Sequence, residues 1–484
     1  MENDVAHVRK IDVGIRQILL SVSIVLLFLS IAVLFNHPYY VLAVIGGLFG
    51  LFLTVEPRVG IVVVIMSVFL FDWLSDVAGV LPRQMTWLPE LVIAVLFLKV
   101  YVVTLKHGRL PRVPINKAVL VFVLFGLVSA VINDASPFVT FLGFRNYLKY
   151  VLLFYVVSCL DFHEVFLRRM ILCVIGSAFL QIPVAVLQKY YLSVMPSDLI
   201  SGDLIGGTLG AHTSGILTIF LLCTISLLIG FFYTYRKKRL VCVIGIMLLF
   251  IPMGLNETKI TFFLTPLVVL FLMRKEIFKR CGKTVAVFIL SALLLAATYK
   301  VYTHFYSEKV NIDDFLFSPD YLKEYLLTEY DYLDGSLKRV PAVIFAHEQI
   351  TSHLSSTVLG VGPGNASDSF FSEGVGRYYR MHEGLKVDKV QVSRMLFEFG
   401  YVGFGIFLYL IYRVYRANRT WRSHAEDRFW KAISFGFEGI VFILVTTMVY
   451  ANSFIVDSLA FTFWFVAGSL TAIRASSLPG RETR

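Results

Sequence analysis

The strongest constraint on this chain is the recurrence of apolar stretches close to the roughly 20 residues an α-helix needs to cross the hydrocarbon core of a bilayer. About fourteen such stretches follow one another, near 17–36, 39–55, 60–77, 87–105, 118–134, 146–160, 169–189, 211–233, 239–254, 259–273, 284–303, 395–412, 432–450 and 453–473. In lipid each backbone N–H and C=O must be satisfied inside its own segment, so this pattern leads to a bundle of spanning helices. With 57% hydrophobic residues among 484, a water-soluble globule would expose far too much apolar surface. The expected class is an all-α polytopic membrane protein. The first run is span-length and has no small-residue cleavage site before the second, so no removable signal peptide is expected.

The net charge of +11 raises nucleic acid as a partner, and the distribution of that charge argues against it. Basic residues gather after the even-numbered spans from the fourth on, in "KHGRLPR", "RR", "YRKKR", "RKEIFKR", "YRVYRANRTWR" and the tail "RETR". The short loops of the other side carry only Arg83, Arg145, Lys149, Lys189 and Lys259. Such alternation is the positive-inside bias of membrane proteins, and it puts both termini in the cytoplasm. The five cysteines, Cys159, Cys173, Cys223, Cys242 and Cys281, fall in spans or basic loops, so no external disulfide is expected.

One external segment is long. It divides the chain into an N-terminal transmembrane region (1–305, about eleven helices), an external loop (306–392) and a C-terminal transmembrane region with a short tail (393–484, about three helices). The loop starts acidic and aromatic, continues as the amphipathic "SLKRVPAVIFAHEQITSHLSSTVLG", and reaches "GVGPG", with three glycines and a proline in five residues. Its aromatic content and apolar period argue for a small helical cap rather than disorder. The glycines allow a sharp turn and a close backbone approach. The expectation is that the turn folds the rest of the loop back over a cavity and leaves the spans independent of it.

Cations at the external surface run against the charge bias, which points to an anionic ligand such as a lipid-linked pyrophosphate, and Arg suits phosphate best. The candidates are Arg145 at the start of the sixth span, Lys259 at the start of the tenth, and Arg339, Arg377, Arg380 and Arg394. His382 and Glu383, then His347 and Glu348, are the candidate general bases. His212, Arg83, Asp72 and Glu90 lie near external span ends, and Glu438 and Asp457 are the acids within spans. No Gly-Lys-Ser/Thr phosphate loop and no His/Cys cluster occurs, so neither a nucleotide cofactor nor a metal is expected.

Four segments, in order, resemble the O-antigen polymerase and O-antigen ligase superfamily of bacterial integral-membrane glycan assembly enzymes. They are "GGTLGAHTSGILTIFLL", "NETKITFFLTPLVVLFL" with Lys259 where that family has arginine, "KRVPAVIFAHEQITSHLSSTVLGVGPG", and "SRMLFEFGYVGFGIFLYLIY" with its Glu-x-Gly-x-x-Gly. The resemblance spans roughly residues 140 to 415. It implies a metal-independent transferase resembling GT-C-type membrane glycosyltransferases. Its donor would be a polyprenyl-pyrophosphate-linked oligosaccharide and its acceptor a sugar hydroxyl on a second lipid-linked glycan. A flippase and a chain-length regulator are the companion proteins it implies. The family's His-Asn pair before the last of these spans reads "KVQVS" here, which favours a polymerase over a ligase that transfers finished glycan to a terminal acceptor. A fourteen-span flippase or transporter is the alternative from another class; it has no need of a large cap.

Overall fold

The computed structural model describes residues 38–107, 113–194, 205–256, 258–274, 281–306, 318–328, 330 and 335–476. Its helices up to the cap are α1 (Pro38–Val55), α2 (Pro57–Asp76), α3 (Leu88–His107), α4 (Asn116–Ile132), α5 (Pro137–Cys159), α6 (Glu164–Val194), α7 (Ser214–Thr234), α8 (Arg239–Leu255), α9 (Ile260–Met273) and α10 (Cys281–Tyr306). The cap contributes α11 (Pro319–Leu327), α12 (Arg339–Thr351), α13 (Leu354–Leu359) and α14 (Arg377–Met381), and the bundle closes with α15 (Gln391–Arg422), α16 (Arg428–Thr446) and α17 (Asp457–Ser476). No strand occurs among the described residues. Each expected span from the second onward coincides with a helix; the first, and both chain ends, lie outside the described residues. Among the described residues eight helical segments are long and apolar enough to cross a membrane, and α1, α4, α5, α9 and α10 are not among them.

The helices meet where small residues let backbones approach, the usual device when lipid removes the hydrophobic driving force between them. Antiparallel α7 and α16 are the clearest case. The Ser226 hydroxyl donates to the Gly436 carbonyl at 2.7 Å, and a Cβ on Gly436 would lie 2.6 Å from the Leu227 Cα. α16 starts on an Asp427 N-cap that accepts from the Phe429 and Trp430 amides at 2.8 and 3.2 Å. Arg168 of α6 reaches the same carboxylate at 2.7 Å. Arg168, the Arg236–Lys238 turn, Arg274, Arg422 and Arg428 thus define one basic end of the bundle.

The opposite end carries the cap. Its own small core packs Leu337, Ala342, Ala346, Ile350, Ala366, Val387 and Val390 on Leu396 and Phe397 of α15. The boundary expected at residue 392 therefore cuts through this core, which continues two turns into the helix. The amphipathic segment is two helices, α12 and α13, broken at Ser352–His353.

The glycine turn corrects one expectation. It is a buried wedge between helices and not a turn that leaves them independent of the loop: residues 362–367 are all buried. Gly360, Gly362 and Gly364 have φ of 71°, 98° and 81°, the left-handed region that side chains resist. α15 bends at Gly400, where φ is 61°, so the carbonyls just before the bend lose their helical partners. The turn supplies replacements: the Val361 amide donates to the Phe397 carbonyl at 2.7 Å and the Gly362 amide to that of Glu398 at 3.1 Å. From α4 and its C-cap, Ser129 and Asn133 donate to the turn's own carbonyls at Leu359 and Gly360, at 2.7 and 3.1 Å. On α5, a Cβ at Gly143 would fall 2.5 Å from the Pro363 carbonyl carbon. Three helices hold the turn, so these helices are not independent of the loop.

Candidate functional site

Two polar networks lie at the cap end, on two sides of α5. A proline at N1 starts this helix at Pro137, so Arg145 is eight residues, or about 12 Å, inside it. That corrects the placing of Arg145 at a span end. Arg145 and Lys149 share one face by their i, i+4 spacing. Arg145 is bidentate on Glu90 of α3, through a short Nε contact and an Nη2 contact of 2.6 Å, and its guanidinium stacks on Trp87 at 4.1 Å. Lys149 contacts Glu90 at 3.2 Å and makes a short ion pair with Asp457 at the start of α17. Asp72 of α2 lies within electrostatic reach of Asp457, Asp76, Lys149 and Arg83. Trp87 in turn packs edge-on against Phe371 of the cap at 5.4 Å. Five charged groups from four helices are thereby tied to one another and, through an aromatic pair, to the cap.

The second network lies where the turn meets α15. Glu398 is fully buried and Arg394, one helical turn before it, is 6% exposed. Their side chains approach to 3.6 Å. Ser367, just past the glycine turn, donates a short hydrogen bond to Glu398. The Arg394 guanidinium lies 5.9 Å from the Tyr147 ring of α5, and Tyr147 packs edge-on against Phe399 at 5.1 Å. The expected anion ligands Arg145 and Arg394 therefore both already hold carboxylates.

The remaining candidates are spread around the cap end. Arg339 donates from Nε to the Tyr450 carbonyl at 3.0 Å and stacks on its ring at 4.0 Å. Tyr450 also abuts Gly215 at the start of α7. Lys259 is half-buried immediately before α9, as expected, beside a polar knot in which Thr258 donates to Ser214 at 2.9 Å and Asn256 to Thr218 at 2.9 Å. Glu257 lies outside the described residues. The Gly-Thr segment is clamped by α6: Gln181 and the Thr208 amide meet at 2.7 Å, Gln188 and the Gly207 amide at 2.9 Å. His212 next to it is exposed and holds a left-handed φ of 56°.

Among the candidate bases, His382 is half-buried, with its ring against Tyr378 at 4.8 Å and edge-on to Phe345 at 5.2 Å. Burial pushes its imidazole below the usual range, which keeps it unprotonated at neutral pH and able to accept a proton. Both neighbours pack on Phe397, the residue before Glu398. Glu383, Arg377 and Arg380 are exposed on the same stretch. His347 and Glu348 are exposed on α12, and His347 reaches the Tyr401 hydroxyl at 2.6 Å. His382 and the Arg394–Glu398 network thus meet at the first turns of α15, where His347 also reaches Tyr401, whereas the Arg145–Lys149 network lies among α2, α3, α5 and α17 and Glu348 is exposed.

Sequence reading placed Glu90 and Asp72 near span ends and Lys149 among the loop cations, singled out Asp457 as an acid within a span, and did not pick out Trp87, Tyr147 or Ser367 for the site. The i, i+4 pair Arg145/Lys149 on a span was the available signal, since two cations at that depth require acids opposite. Among the described residues no three His, Cys, Asp or Glu side chains are grouped as a metal site. No protein-family model matches the chain, and no curated protein sequence does.

Proposed function

We propose that the protein is a membrane glycosyltransferase that polymerises a cell-surface polysaccharide at the cap end of its bundle. It would sit in a bacterial cytoplasmic membrane with both termini inside and the cap outside, as the basic-loop alternation implies. The donor is a polyprenyl-pyrophosphate-linked glycan, as the resemblance to the O-antigen polymerase and ligase superfamily implies. The acceptor hydroxyl oxygen forms a bond to the donor's anomeric carbon while the bond from that carbon to pyrophosphate breaks. The hydroxyl proton passes to His382, with Glu383 as the nearby alternative. Arg339, Arg377, Arg380 and Lys259 offset the charge of the leaving pyrophosphate, and Arg145 and Arg394 contribute to the field from their carboxylate pairs.

The observation that carries this reading is the fixed seat of the cap. Its glycine turn caps the carbonyls of the α15 bend, Asn452 donates to the Asp388 carbonyl at 2.9 Å, and Gln391 accepts from the Phe454 amide at 2.7 Å. A transferase needs a rigid platform that holds two large substrates in line. A transporter that rocks needs the opposite freedom at its ends. One observation favours the second reading, a lipid-linked-oligosaccharide flippase: the intramembrane set Asp72, Glu90, Arg145, Lys149 and Asp457 is the kind of charge array that marks transport pathways. Purified protein in proteoliposomes given radiolabelled lipid-linked repeat distinguishes them. A ladder of longer lipid-linked glycans supports the polymerase, and label crossing the bilayer without growth supports the flippase.

A further inference from the structure

The basic end contains a cavity of about 930 Å³, within the volume range of small-ligand sites. It opens between the ends of α7, α9, α15 and α16. Seven of its lining residues are basic and two are acidic, an excess of five positive charges facing one space. Positive-inside bias explains basic residues at this end. It does not explain their convergence on a cavity.

At the cavity's inner wall one carboxylate serves two guanidiniums. Glu438, 2% exposed, is 2.8 Å from Arg274 and 2.7 Å from Arg422. The arginine side chains are themselves 30% and 17% exposed, so this triad holds a net positive charge largely out of water. An unmatched charge there is costly unless an anion completes it. Both guanidiniums are held in place. Arg274 stacks on Phe271 at 3.9 Å and reaches the Tyr415 hydroxyl at 3.3 Å, and Arg422 lies 5.3 Å from the Phe435 ring. Lys238 and Lys431 line the cavity from its exposed side. Planar, pre-positioned guanidiniums with lysines around them suit phosphate oxygens.

We infer that this cavity binds a phosphate-bearing anion, with Arg274 and Arg422 as the inner ligands and lysines such as Lys238 and Lys431 as the outer ones. A cavity of this kind between helix ends fits an anionic phospholipid headgroup; a soluble polyphosphate presents the same chemistry. The proposal is independent of the reaction assigned to the cap end.

The test uses full-length protein purified in a neutral detergent and stripped of anionic lipid. Binding is measured by thermophoresis for two probes, cardiolipin in mixed micelles and inorganic triphosphate, with phosphatidylcholine as the blank. The variant Lys238→Gln/Lys431→Gln removes two charges from the exposed side of the cavity. Arg413→Gln/Arg416→Gln removes two from the same end of α15 outside it. The expected result is at least tenfold weaker binding of the effective probe in the first variant and less than threefold in the second. Cardiolipin alone obeying this pattern identifies a lipid headgroup, and triphosphate obeying it identifies a soluble ligand. Equal losses in the two variants, or binding of neither probe above the blank, would overturn the inference.

Discussion

The two ends of the bundle handle buried charge in opposite ways. At the cap end, Arg145, Lys149 and Arg394 each meet a carboxylate: Glu90, Asp457 with Glu90, and Glu398. At the basic end, Glu438 alone answers both Arg274 and Arg422, and among the described residues no ion pair joins the lysines of that cavity to a carboxylate of its wall. Desolvating an ion costs several kcal/mol unless it is matched nearby. The cap end meets that cost within the chain, and the basic end leaves part of it to something from outside. Cations that oppose the positive-inside bias are therefore not by themselves ligand sites, because here they match acids. The cations that follow the bias can form a site when they converge.

The largest effect expected from breaking the cap-end balance is at Glu398. Glu398→Ala leaves Arg394 buried without its carboxylate, which should cost about 3–5 kcal/mol. The thermal midpoint in detergent and the yield of monodisperse protein should both fall, and Arg394→Met added to it should restore most of the loss. A single variant as stable as the parent would mean that this pair is hydrated rather than locally matched. Next is the wedge. Gly364→Val adds a branched side chain to a left-handed residue against the α5 backbone, with a cost of about 2–4 kcal/mol. The damage should be to the whole bundle, read as lower yield and midpoint, whereas His353→Ala, on an exposed residue, should stay within about 0.5 kcal/mol.

The positions of the helices were legible in the sequence because apolar run length reports membrane crossing directly. The glycine turn was legible as a special backbone for the same kind of reason, since "GVGPG" is a local signal. Its place was not. The bend at Gly400 that receives it looks like any other glycine in "EFGYVGFG", and the partners on α4 and α5 are more than 200 residues away in the chain. Arg145 was misread as a span end because the polar-spotted "SPFVTFLGFR" conceals two turns of helix, although Pro137 marks their start. Its pairing with Glu90, 55 residues away, has no local signature. The Glu438 triad was half legible. Glu438 stood out as an acid in a span, but its arginines were hidden in runs that read as topology alone.

Arg145→Ala should lose about 1–3 kcal/mol, because Glu90 is left with only Lys149, and Arg145→Ala/Glu90→Ala should recover much of it. If Arg145 also contributes to the field at the leaving pyrophosphate, both variants should elongate lipid-linked repeats roughly 30- to 1000-fold more slowly. Recovery of elongation together with stability in the double variant would make the residue purely structural.

The smallest expected effect is in pH dependence. A base must be unprotonated to act, and burial holds the His382 imidazole below its usual range. The acid limb of elongation should therefore lie below the ordinary histidine value of about 6.5. Tyr378→Ala, which opens the ring to water, should move that limb upward, toward the ordinary value, by less than about one pH unit. An unmoved limb would remove His382 from the proton transfer.

The most direct test of the account uses sealed vesicles containing the protein in one orientation, with the cap side identified by labelling a cysteine placed at exposed Glu383 after replacement of the native cysteines. Radiolabelled polyprenyl-pyrophosphate-linked repeat is supplied to one leaflet at a time, without nucleotide. Chain growth is expected when the repeat is in the leaflet on the cap side, and none when it is confined to the leaflet at the basic end. Growth confined to the basic side, or no growth from either, would contradict it.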